Sequence, residues 1–321
     1  MIEGLLTATK DGEHAAKTTL VSVGIPTFNR VNSLKRAVES VFSQDHTNLE
    51  LIISDNASTD ETRSYCEYIS KQDNRVHYIR QQTNKGATEN FNEVLRQSQG
   101  EFFMWLADDD WLDRSYVSQC VDVLIHQPDY SLVGGTARYF LGETFTTTGR
   151  QINLLQESRS SRLSAYFGQV EDNSTFYGLM RREQLARVNM QSVLGGDWLV
   201  VAAIAFMGKV RTLEDVFINR SRGGFSCNIE ELAGAFNLTK FEMRNVFFAV
   251  GINVARDIMW KSPIYDTTRR RARLILGCQA FNAIVRRLLL PAIRVRLGLR
   301  TRAKGTISSI LQVITKAHNG R

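Results

Sequence analysis

The sequence predicts an α/β fold in which a mainly parallel β-sheet is flanked by helices and followed by a C-terminal helical extension. Apolar runs typical of buried strands alternate with segments whose apolar residues recur with a helical period. Polar loops follow these runs at the points where the strands would end. From Glu230 onward the pattern is almost wholly helical. Alternation of this kind predicts βαβ units, which build a parallel sheet.

The first half of the chain supplies four strands with helices between them. The predicted strands are 20–26, 49–53, 76–79 and 102–106. The intervening helices are predicted over about 34–42, up to residue 69, and over about 87–97. The run at 102–106 is apolar throughout, which is typical of a strand buried on both faces.

The second half alternates less regularly. Its predicted elements are, in order, a helix at 117–125, strands at 130–133 and 137–140, a polar Thr-rich loop, a helix near 163–167, a strand-like segment at 174–180, a helix at 181–188, an apolar helix at 198–207, and short strands at 210–213 and 216–218.

Length and composition predict a globular protein with a substantial core. The chain has 321 residues, of which 43% are hydrophobic and 23% charged. We expect a polar leader over 1–18, a ligand-binding α/β domain over 19–226, and a basic, mainly helical region over 227–321. Disordered and fibrous classes are excluded by this composition.

The positive charge is concentrated in the C-terminal region. Residues 261–321 carry 14 Lys and Arg against one acid, Asp266, so the preceding part of the chain is net negative although the whole chain carries +7. Apolar residues are interleaved with these cations, which favours peripheral contact with an anionic membrane over nucleic acid. A packed helical subdomain or a dimer contact would explain the apolar stripe equally well. The stripe consists of Leu274, Cys278, Phe281, Val285, Leu288 and Ala292, with Arg273, Arg286 and Arg287 off it.

Cysteine usage predicts a reducing compartment. The four cysteines are widely spaced and form no CxxC pair, and residues 1–17 contain no apolar segment of a secretory leader. The longest uncharged runs, 198–208 and 274–285, are too short to span a bilayer. We therefore expect a cytoplasmic protein that can attach peripherally to the inner face of the cell membrane.

Three consecutive carboxylates, Asp108, Asp109 and Asp110, follow the predicted strand at 102–106. Adjacent carboxylates repel one another unless they are solvated or neutralised by a cation. Mg²⁺ prefers a few carboxylate oxygens together with phosphate oxygens of a substrate, and open α/β sheets bind ligands at the carboxyl ends of strands. The sequence therefore predicts a metal and phosphate site. The alternative is a solvated acidic turn that caps the following helix.

Four motifs occur in a fixed order along the chain. They are Val-Gly-Ile-Pro-Thr-Phe-Asn-Arg at 23–30, Ile-Ser-Asp-Asn-Ala-Ser-Thr-Asp at 53–60, Asn-Lys-Gly at 84–86, and Trp-Leu-Ala-Asp-Asp-Asp-Trp-Leu at 105–112. Over about residues 20–225 this set closely resembles the family 2 glycosyltransferases, which have the GT-A type of nucleotide-sugar-binding fold. The resemblance implies inverting transfer of a sugar to an acceptor hydroxyl, assisted by Mg²⁺ or Mn²⁺. The donor would be a UDP-, GDP- or dTDP-sugar, and the acceptor a glycan or lipid-linked glycan of a surface polysaccharide or glycolipid.

The resemblance also implies a donor-binding set. These residues are Pro26, Thr27, Asn29 and Arg30 after the first strand, Asp55 after the second, Lys85 in the third loop, Asp108 after the fourth, and Arg220 and Arg222 in a basic segment over the pyrophosphate. Asp55 corresponds to the acid that accepts a hydrogen bond from the base. Simple turns, a surface lysine and a solvated basic turn are the alternatives, and Asp60 is favoured as a helix cap.

The acid cluster departs from the family pattern. The usual pattern is Asp-x-Asp-Asp, whereas this chain has Ala107 at the first position. Asp109 is then the best match to the metal-binding acid, with Asp110 as a second metal-site residue that assists it. Asp108 would lie towards the ribose or the water shell of the metal.

A single displacement needs a general base to take the proton of the acceptor hydroxyl. The resemblance assigns this role to Asp197, which follows Gly195 and Gly196, although the family usually has Glu in place of Gly196. Asp197 would serve equally well as a helix N-cap. Glu214 and Asp215 are the competing acids, and their position between two short strands predicts a turn.

Two other classes of protein remain open from the sequence. A metal-dependent nucleotidyltransferase also places acids at strand ends, but residues 25–30 lack the glycine-rich loop that it normally has. A non-catalytic nucleotide- or nucleic-acid-binding module would depend on residues 261–321 for all ligand binding. No nucleic-acid partner is expected for the transferase.

Overall fold

The computed structural model describes residues 16–222 and 229–289, which divide into two compact units. The first unit contains the described residues up to Asn153 together with Ser174–Asn189 and Gly208–Arg222. The second contains Leu154–Asn173, Met190–Met207 and the described residues after Arg222. Both units are built from separate stretches of the chain. The predicted domain limits at residues 19 and 226 stay a prediction.

The strands of the described residues form one nine-stranded sheet in the first unit. They are β1 (Val21–Thr27), β2 (Leu49–Asp55), β3 (Val76–Arg80), β4 (Phe102–Trp105), β5 (Trp111–Leu112), β6 (Tyr130–Leu141), β7 (Thr144–Thr148), β8 (Leu179–Arg181) and β9 (Lys209–Ser221). The order is β3-β2-β1-β4-β8-β6-β9-β5, with β7 paired to β6. The longest pairings, β1–β2 and β6–β9, are parallel. This mainly parallel α/β sheet confirms the predicted fold class.

Helices fill the intervals between strands and dominate the second unit. They are α1 (Val31–Phe42), α2 (Thr62–Gln72), α3 (Ala87–Arg96), α4 (Tyr116–His126), α5 (Arg159–Gln169), α6 (Arg182–Leu185), α7 (Gly196–Met207), α8 (Ile229–Phe236), α9 (Lys240–Arg244), α10 (Val246–Arg256) and α11 (Arg270–Ile284). β1, β2 and β4 are buried at every position, and α1 covers the core with Leu34, Ala37, Val38 and Val41. Burial on both faces explains why these strands are mainly apolar.

The strand order places a topological switch point at β1. The chain adds β2 and then β3 on one side of β1, and returns to add β4 on the other side. Connections on opposite sides diverge at the carboxyl ends of β1 and β4 and leave a crevice there. The loops after Thr27 and Trp105 therefore meet where an open α/β sheet binds its ligand.

Two predicted strand pairs are single long strands. β6 continues through Gly134 and Gly135. A Cβ on Gly135 would lie only 2.5 Å from the Val216 carbonyl oxygen, so glycine at this position lets the backbones of β6 and β9 approach closely. The two glycines do not mark a chain reversal. β9 continues through a bulge, since Gly135 pairs with Leu213 and Thr136 pairs with Phe217. The predicted turn at Glu214 and Asp215 is therefore wrong.

Two other local predictions also differ from the structure. The Thr-rich loop contains β7, which forms an antiparallel pair with β6. The strand-like segment at 174–180 begins as a 3₁₀ turn, Ser174–Tyr177, and only β8 is extended.

In the second unit the packing face of α11 differs from the predicted stripe. Leu274 and Cys278 are exposed, whereas the buried residues of the helix are Arg273, Leu276, Gly277, Ala280 and Ile284. Small residues form the close contacts, as a Cβ on Gly277 would lie 2.5 Å from the Met259 side chain. Ala292 and the rest of the predicted basic tail lie outside the described residues.

Arg273 is likewise not the peripheral cation that the pattern predicts. Its side chain donates to the Ile258 and Ser262 carbonyl oxygens and pairs with Asp266. Burial of an arginine in this way satisfies backbone acceptors inside the helical unit. Within the described residues, no helix is both long enough and apolar enough to cross a membrane.

Candidate functional site

The three consecutive aspartates have different surroundings. Asp108 accepts a 2.8 Å hydrogen bond from Thr27 Oγ1 and lies 3.3 Å from Arg30 Nη1. Asp109 lies 2.8 Å from the same nitrogen, and 21% of its side chain is exposed. Asp110 is buried and accepts from Arg220 Nε at 2.9 Å and from the Ser221 N–H at 3.0 Å. Asp109 is therefore the most accessible acid of the three.

Burial changes the titration of the two enclosed acids. It raises the pKa of Asp108 to about 7 and that of Asp110 to about 6. The neighbouring Arg30 opposes the rise at Asp108, and Arg220 opposes it at Asp110. A cation beside each buried carboxylate therefore favours its ionised form.

Arg220 is enclosed by aromatic rings as well as by Asp110. Its guanidinium carbon lies 4.5 Å from the centre of the Tyr177 ring and 5.8 Å from that of Tyr139. Arg222 donates its N–H to the Phe140 carbonyl oxygen at 2.7 Å, and its guanidinium lies 5.3 Å from the Tyr139 ring. The structure thus pairs Arg220 with the acid cluster and places Arg222 at the end of β9.

Arg36 on α1 also contacts the acid loop, although nothing in the sequence pattern distinguished it. Its guanidinium lies 3.7 Å from the centre of the Trp111 ring and donates to Ser221 Oγ at 3.2 Å and to the Asp109 carbonyl oxygen at 3.4 Å. Ser221 Oγ donates to the same Asp109 oxygen at 2.8 Å. These contacts join α1, the acid loop and the end of β9.

Asp55 ends β2 and is completely buried. Its Oδ1 accepts from the Ser58 N–H at 2.8 Å, while its Oδ2 accepts from Tyr78 Oη and Arg80 Nη1, both at 2.9 Å. Sequence reasoning missed Tyr78 and Arg80. The sequence feature that could have identified them is their two-residue spacing on β3, which places both side chains on the same face of the strand.

Side-chain amides connect the loops that follow β1, β2 and β3. Asn29, at φ 53°, donates its N–H to Ser58 Oγ at 2.9 Å and accepts the Thr59 N–H at 2.7 Å. Asn56 donates to Asn84 Oδ1 at 2.8 Å and accepts the Lys85 N–H at 2.9 Å. The loops containing Asn29 and Lys85 therefore share one network, and the Lys85 side chain is exposed.

The observed contacts of Asp60 and Pro26 are with the backbone of neighbouring elements. Asp60 accepts from the Thr62 N–H at 3.0 Å and from the Val31 N–H at 3.2 Å, so it satisfies the first N–H groups of α2 and α1, although the N-cap position of α2 is Glu61. Pro26 is buried within β1 and opposite Ser54 of β2. Its predicted place in the donor site stays a prediction.

Asp197 lies in the second unit, in the first turn of α7, and follows Gly195 at φ 77°. Its Oδ2 accepts a 2.8 Å hydrogen bond from Asn173 Nδ2. Asn173 Oδ1 in turn accepts from Tyr166 Oη at 2.7 Å, and both Asn173 and Tyr166 are buried. Asn173 and Tyr166 were not found by sequence reasoning, because segments from three parts of the chain meet here.

The donor atoms do not form a complete metal cage. Within the described ranges, no group of three or more His, Cys, Asp or Glu side chains could hold a metal ion. Asp108 and Asp110 are compensated by protein donors, which leaves Asp109 as the accessible carboxylate. One carboxylate matches a mode of Mg²⁺ binding in which substrate phosphates and water complete the coordination.

A parallel sheet with acids and arginines at its switch point defines a ligand-binding α/β protein, and its fold is of the GT-A type. Mannosyltransferase PcManGT from Pyrobaculum calidifontis, in complex with GDP-Man and Mn²⁺, is similar with a TM-score of 0.56 and 17% identity over 98% of both chains. S. aureus TarS 1-349 in complex with UDP-GlcNAc has a TM-score of 0.54 and 16% identity over 94% of this chain and 92% of that one. Similarity at this level of identity shows the fold.

The chain belongs to glycosyl transferase family 2, since the model of that family matches residues 22–188, more than half of the chain. It is 43% identical over 93 residues to the GalNAc(5)-diNAcBac-PP-undecaprenol beta-1,3-glucosyltransferase of Campylobacter jejuni. It is 38% identical over 93 residues to the putative teichuronic acid biosynthesis glycosyltransferase TuaG of Bacillus subtilis. Each match covers 29% of this chain, but only 30% and 37% of the respective relatives. The predicted family and enzyme class are confirmed.

Proposed function

We propose that this glycosyltransferase moves a sugar from a nucleoside-diphosphate sugar to an acceptor hydroxyl during polysaccharide or glycolipid synthesis. The observation that carries the proposal is the 2.8 Å hydrogen bond from Thr27 to Asp108, which joins the carboxyl ends of β1 and β4 beside Arg30. Nucleotide sugars bound to the fold relatives support the donor class. The names of the two family relatives support a glycan or lipid-linked acceptor.

The donor would lie along the carboxyl edge of β1, β2 and β4. In this arrangement Asp55 recognises the base, with its orientation fixed by Tyr78 and Arg80. Pro26, Thr27, Asn29 and Asp108 form the rim towards the base and ribose. Arg30, Lys85, Arg220 and Arg222 supply positive charge for the diphosphate, and arginine is suited to bidentate phosphate contacts.

A divalent cation fits Asp109 better than it fits Asp110. Both oxygens of Asp110 accept hydrogen bonds from Arg220 and Ser221, and its side chain is only 2% exposed. We therefore assign the direct contact with Mg²⁺ or Mn²⁺ to Asp109, and to Asp110 the support of the metal-binding loop. Bound there together with diphosphate oxygens, the cation would neutralise the charge that develops on the leaving group.

Asp197 is the proposed general base of an inverting single displacement. It would accept the proton of the acceptor hydroxyl as the oxygen attacks the anomeric carbon and the bond to the diphosphate breaks. The Asn173 amide, at 2.8 Å, orients this carboxylate and favours its ionised form. The helix N-terminus at α7 acts in the same direction.

Exposed cations and an exposed aromatic side chain in the C-terminal basic region favour contact with a membrane surface. Lys261, Arg270 and Arg271 are exposed, as is 63% of Trp260. Cations beside exposed aromatic side chains favour anionic lipid surfaces. We propose peripheral contact with the cytoplasmic face of the cell membrane, where lipid-linked acceptors would be available.

The experiment that tests the proposed function is a donor survey. The full chain would be incubated with UDP-, GDP- and dTDP-sugars with and without Mn²⁺, and both thermal stabilisation and release of nucleoside diphosphate would be measured. One donor class should raise the melting temperature and be hydrolysed slowly, and Asp109→Asn should remove the dependence on Mn²⁺. If every donor fails to stabilise the protein, the proposal is wrong.

A further inference from the structure

Arg30 bridges the two acids that face the donor crevice. A single nitrogen, Nη1, lies 3.3 Å from Asp108 Oδ1 and 2.8 Å from Asp109 Oδ2. Asp108 has a second donor in the Thr27 hydroxyl, at 2.8 Å. In the described part of the chain, Arg30 is the only hydrogen-bond donor to the Asp109 carboxylate. Asp109 therefore depends on Arg30 for its charge compensation more than Asp108 does.

The Asp109 carboxylate that Arg30 contacts is also the acid assigned above to the metal, and 21% of its side chain is exposed. A guanidinium and a divalent cation cannot both occupy the space beside this carboxylate without strong repulsion between like charges. The Arg30 side chain is 37% exposed, so it has room to turn away from Asp109. Asp108 contacts the same nitrogen and compensates part of the Arg30 charge, and a further anion that draws the guanidinium away from Asp109 would favour metal binding there.

We propose that Arg30 blocks Asp109 by this ion pair and releases it when a diphosphate binds the guanidinium, so that metal and diphosphate are captured together. The inference rests on the donor site proposed above. A diphosphate is the suitable trigger because it offers geometry that matches a guanidinium and oxygens that can complete the coordination of the cation. No covalent bond changes, since one ion pair is exchanged for two others.

The coupling has a reciprocal consequence. If diphosphate increases the affinity for the metal by a given factor, the metal increases the affinity for diphosphate by the same factor. Arg30 is therefore a positioning residue whose removal should separate two binding events. A merely structural ion pair would leave the metal affinity unchanged or lower it.

The test measures binding of Mn²⁺ to the full chain with and without inorganic pyrophosphate, with the complex of Mn²⁺ and pyrophosphate in solution subtracted. For the wild type, we expect saturating pyrophosphate to tighten Mn²⁺ binding about tenfold or more. Arg30→Gln should bind Mn²⁺ alone about tenfold more tightly than the wild type and show a smaller effect of pyrophosphate. Arg63→Gln removes an equally positive but exposed side chain from α2 and should behave as the wild type.

Two further variants complete the experiment. Asp109→Asn should abolish Mn²⁺ binding in both the wild-type and the Arg30→Gln backgrounds. Arg30→Lys keeps the charge but can contact fewer oxygens, so it should bind Mn²⁺ alone several-fold more tightly than the wild type. This variant decides the question if circular dichroism shows that Arg30→Gln is unfolded.

Distinct results would overturn the two proposals. Equal Mn²⁺ affinity with and without pyrophosphate in the wild type, or folded Arg30 variants that bind Mn²⁺ no more tightly than the wild type, would reject the blocking role of Arg30 alone. Failure of the wild type to bind either Mn²⁺ or pyrophosphate under all conditions would reject the donor site as well.

Discussion

Arg220 Nε lies 2.9 Å from Asp110 Oδ2, in an ion pair that joins the end of β9 to the acid loop after β4. The side chains are 18% and 2% exposed, and Tyr177 covers the guanidinium. Removing one partner of such a buried ion pair strongly lowers the free energy of unfolding, because the remaining charge stays buried without a partner. The relationship makes Asp110 a structural residue of the loop as well as a neighbour of Asp109, the acid proposed to bind the metal.

We expect Arg220→Met to lower the free energy of unfolding by roughly 3–5 kcal/mol, the range for removal of one partner of a buried pair. Chemical denaturation monitored by circular dichroism measures the change. The matched control is Arg63→Met, which removes an exposed pair with Glu67 and should cost less than about 1 kcal/mol. Equal losses in the two variants would contradict the structural role. Asp110→Asn combined with Arg220→Met should cost less than the sum of the single changes.

The pH dependence of stability should reveal the buried Asp108 carboxyl. Burial raises its pKa from 3.8 to about 7 in the folded protein, so the folded state binds a proton more tightly than the unfolded state. The contribution of Asp108 to stability must therefore fall as the pH rises from about 4 to about 7. Asp110 acts in the same direction up to about pH 6.

This prediction is checked by denaturation of the wild type and Asp108→Asn between pH 4.5 and 8, a window that spans the raised pKa. The stability of the wild type relative to the variant should decline across the window and level off above about pH 7. A relative stability that rises with pH would show that Arg30 outweighs burial at this carboxyl.

Ala57 should be replaceable by glycine with a gain in stability. Ala57 has φ 64°, in the left-handed region, where a Cβ costs about 1–2 kcal/mol. Ala57→Gly removes that cost but increases the freedom of the unfolded chain, so the net gain should be up to about 1 kcal/mol. Ala87→Gly, at the first position of the α3 helix, is the control and should be destabilising by up to about 1 kcal/mol. Parallel melting curves decide the sign, and a loss at both positions would refute the strain argument.

The sequence predicted the carboxyl edge of the sheet well, for a physical reason. β1, β2 and β4 are buried on both faces, so each is a visible apolar run that ends at its polar loop. Parallel neighbours then bring Thr27, Asp55 and the aspartates to one rim. Local pattern and tertiary position agree here, and the acid cluster could be located without coordinates.

The remaining contacts depend on which distant segments meet. The pair between Asp110 and Arg220 spans 110 positions, and the contact of Arg36 with Ser221 spans 185. Neither contact can be recognised from a local pattern in the sequence. The face of α11 was predicted from its large apolar residues, but Gly277 and Ala280 are buried in its packing face while Leu274 is exposed. The spacing of large apolar residues therefore does not show which helix face packs closely through small residues.

Asn173 offers a test of the proposed base that does not depend on the identity of the acceptor. It donates to Asp197 at 2.8 Å, and Tyr166 holds its amide from the other side at 2.7 Å. A hydrogen bond to a carboxylate favours the ionised form, so its loss should leave the base protonated up to a higher pH. In Asn173→Gly the acid limb of the pH profile of donor hydrolysis should therefore move to higher pH. Glycine is chosen because Asn173 has φ 50°, a conformation that alanine would resist.

Tyr166→Phe should move the same limb by a smaller amount, because it removes the support of the amide but keeps the amide itself. The Michaelis constant for the donor should stay near the wild-type value in both variants, since neither residue belongs to the first unit, where the donor is proposed to bind. Asn237→Gly, a change of the same type at an exposed asparagine that also has φ 50°, controls for general loss of stability. An unchanged acid limb in folded Asn173→Gly would contradict the role of Asp197 as the titrating base, because loss of the 2.8 Å hydrogen bond from the Asn173 amide should shift its titration.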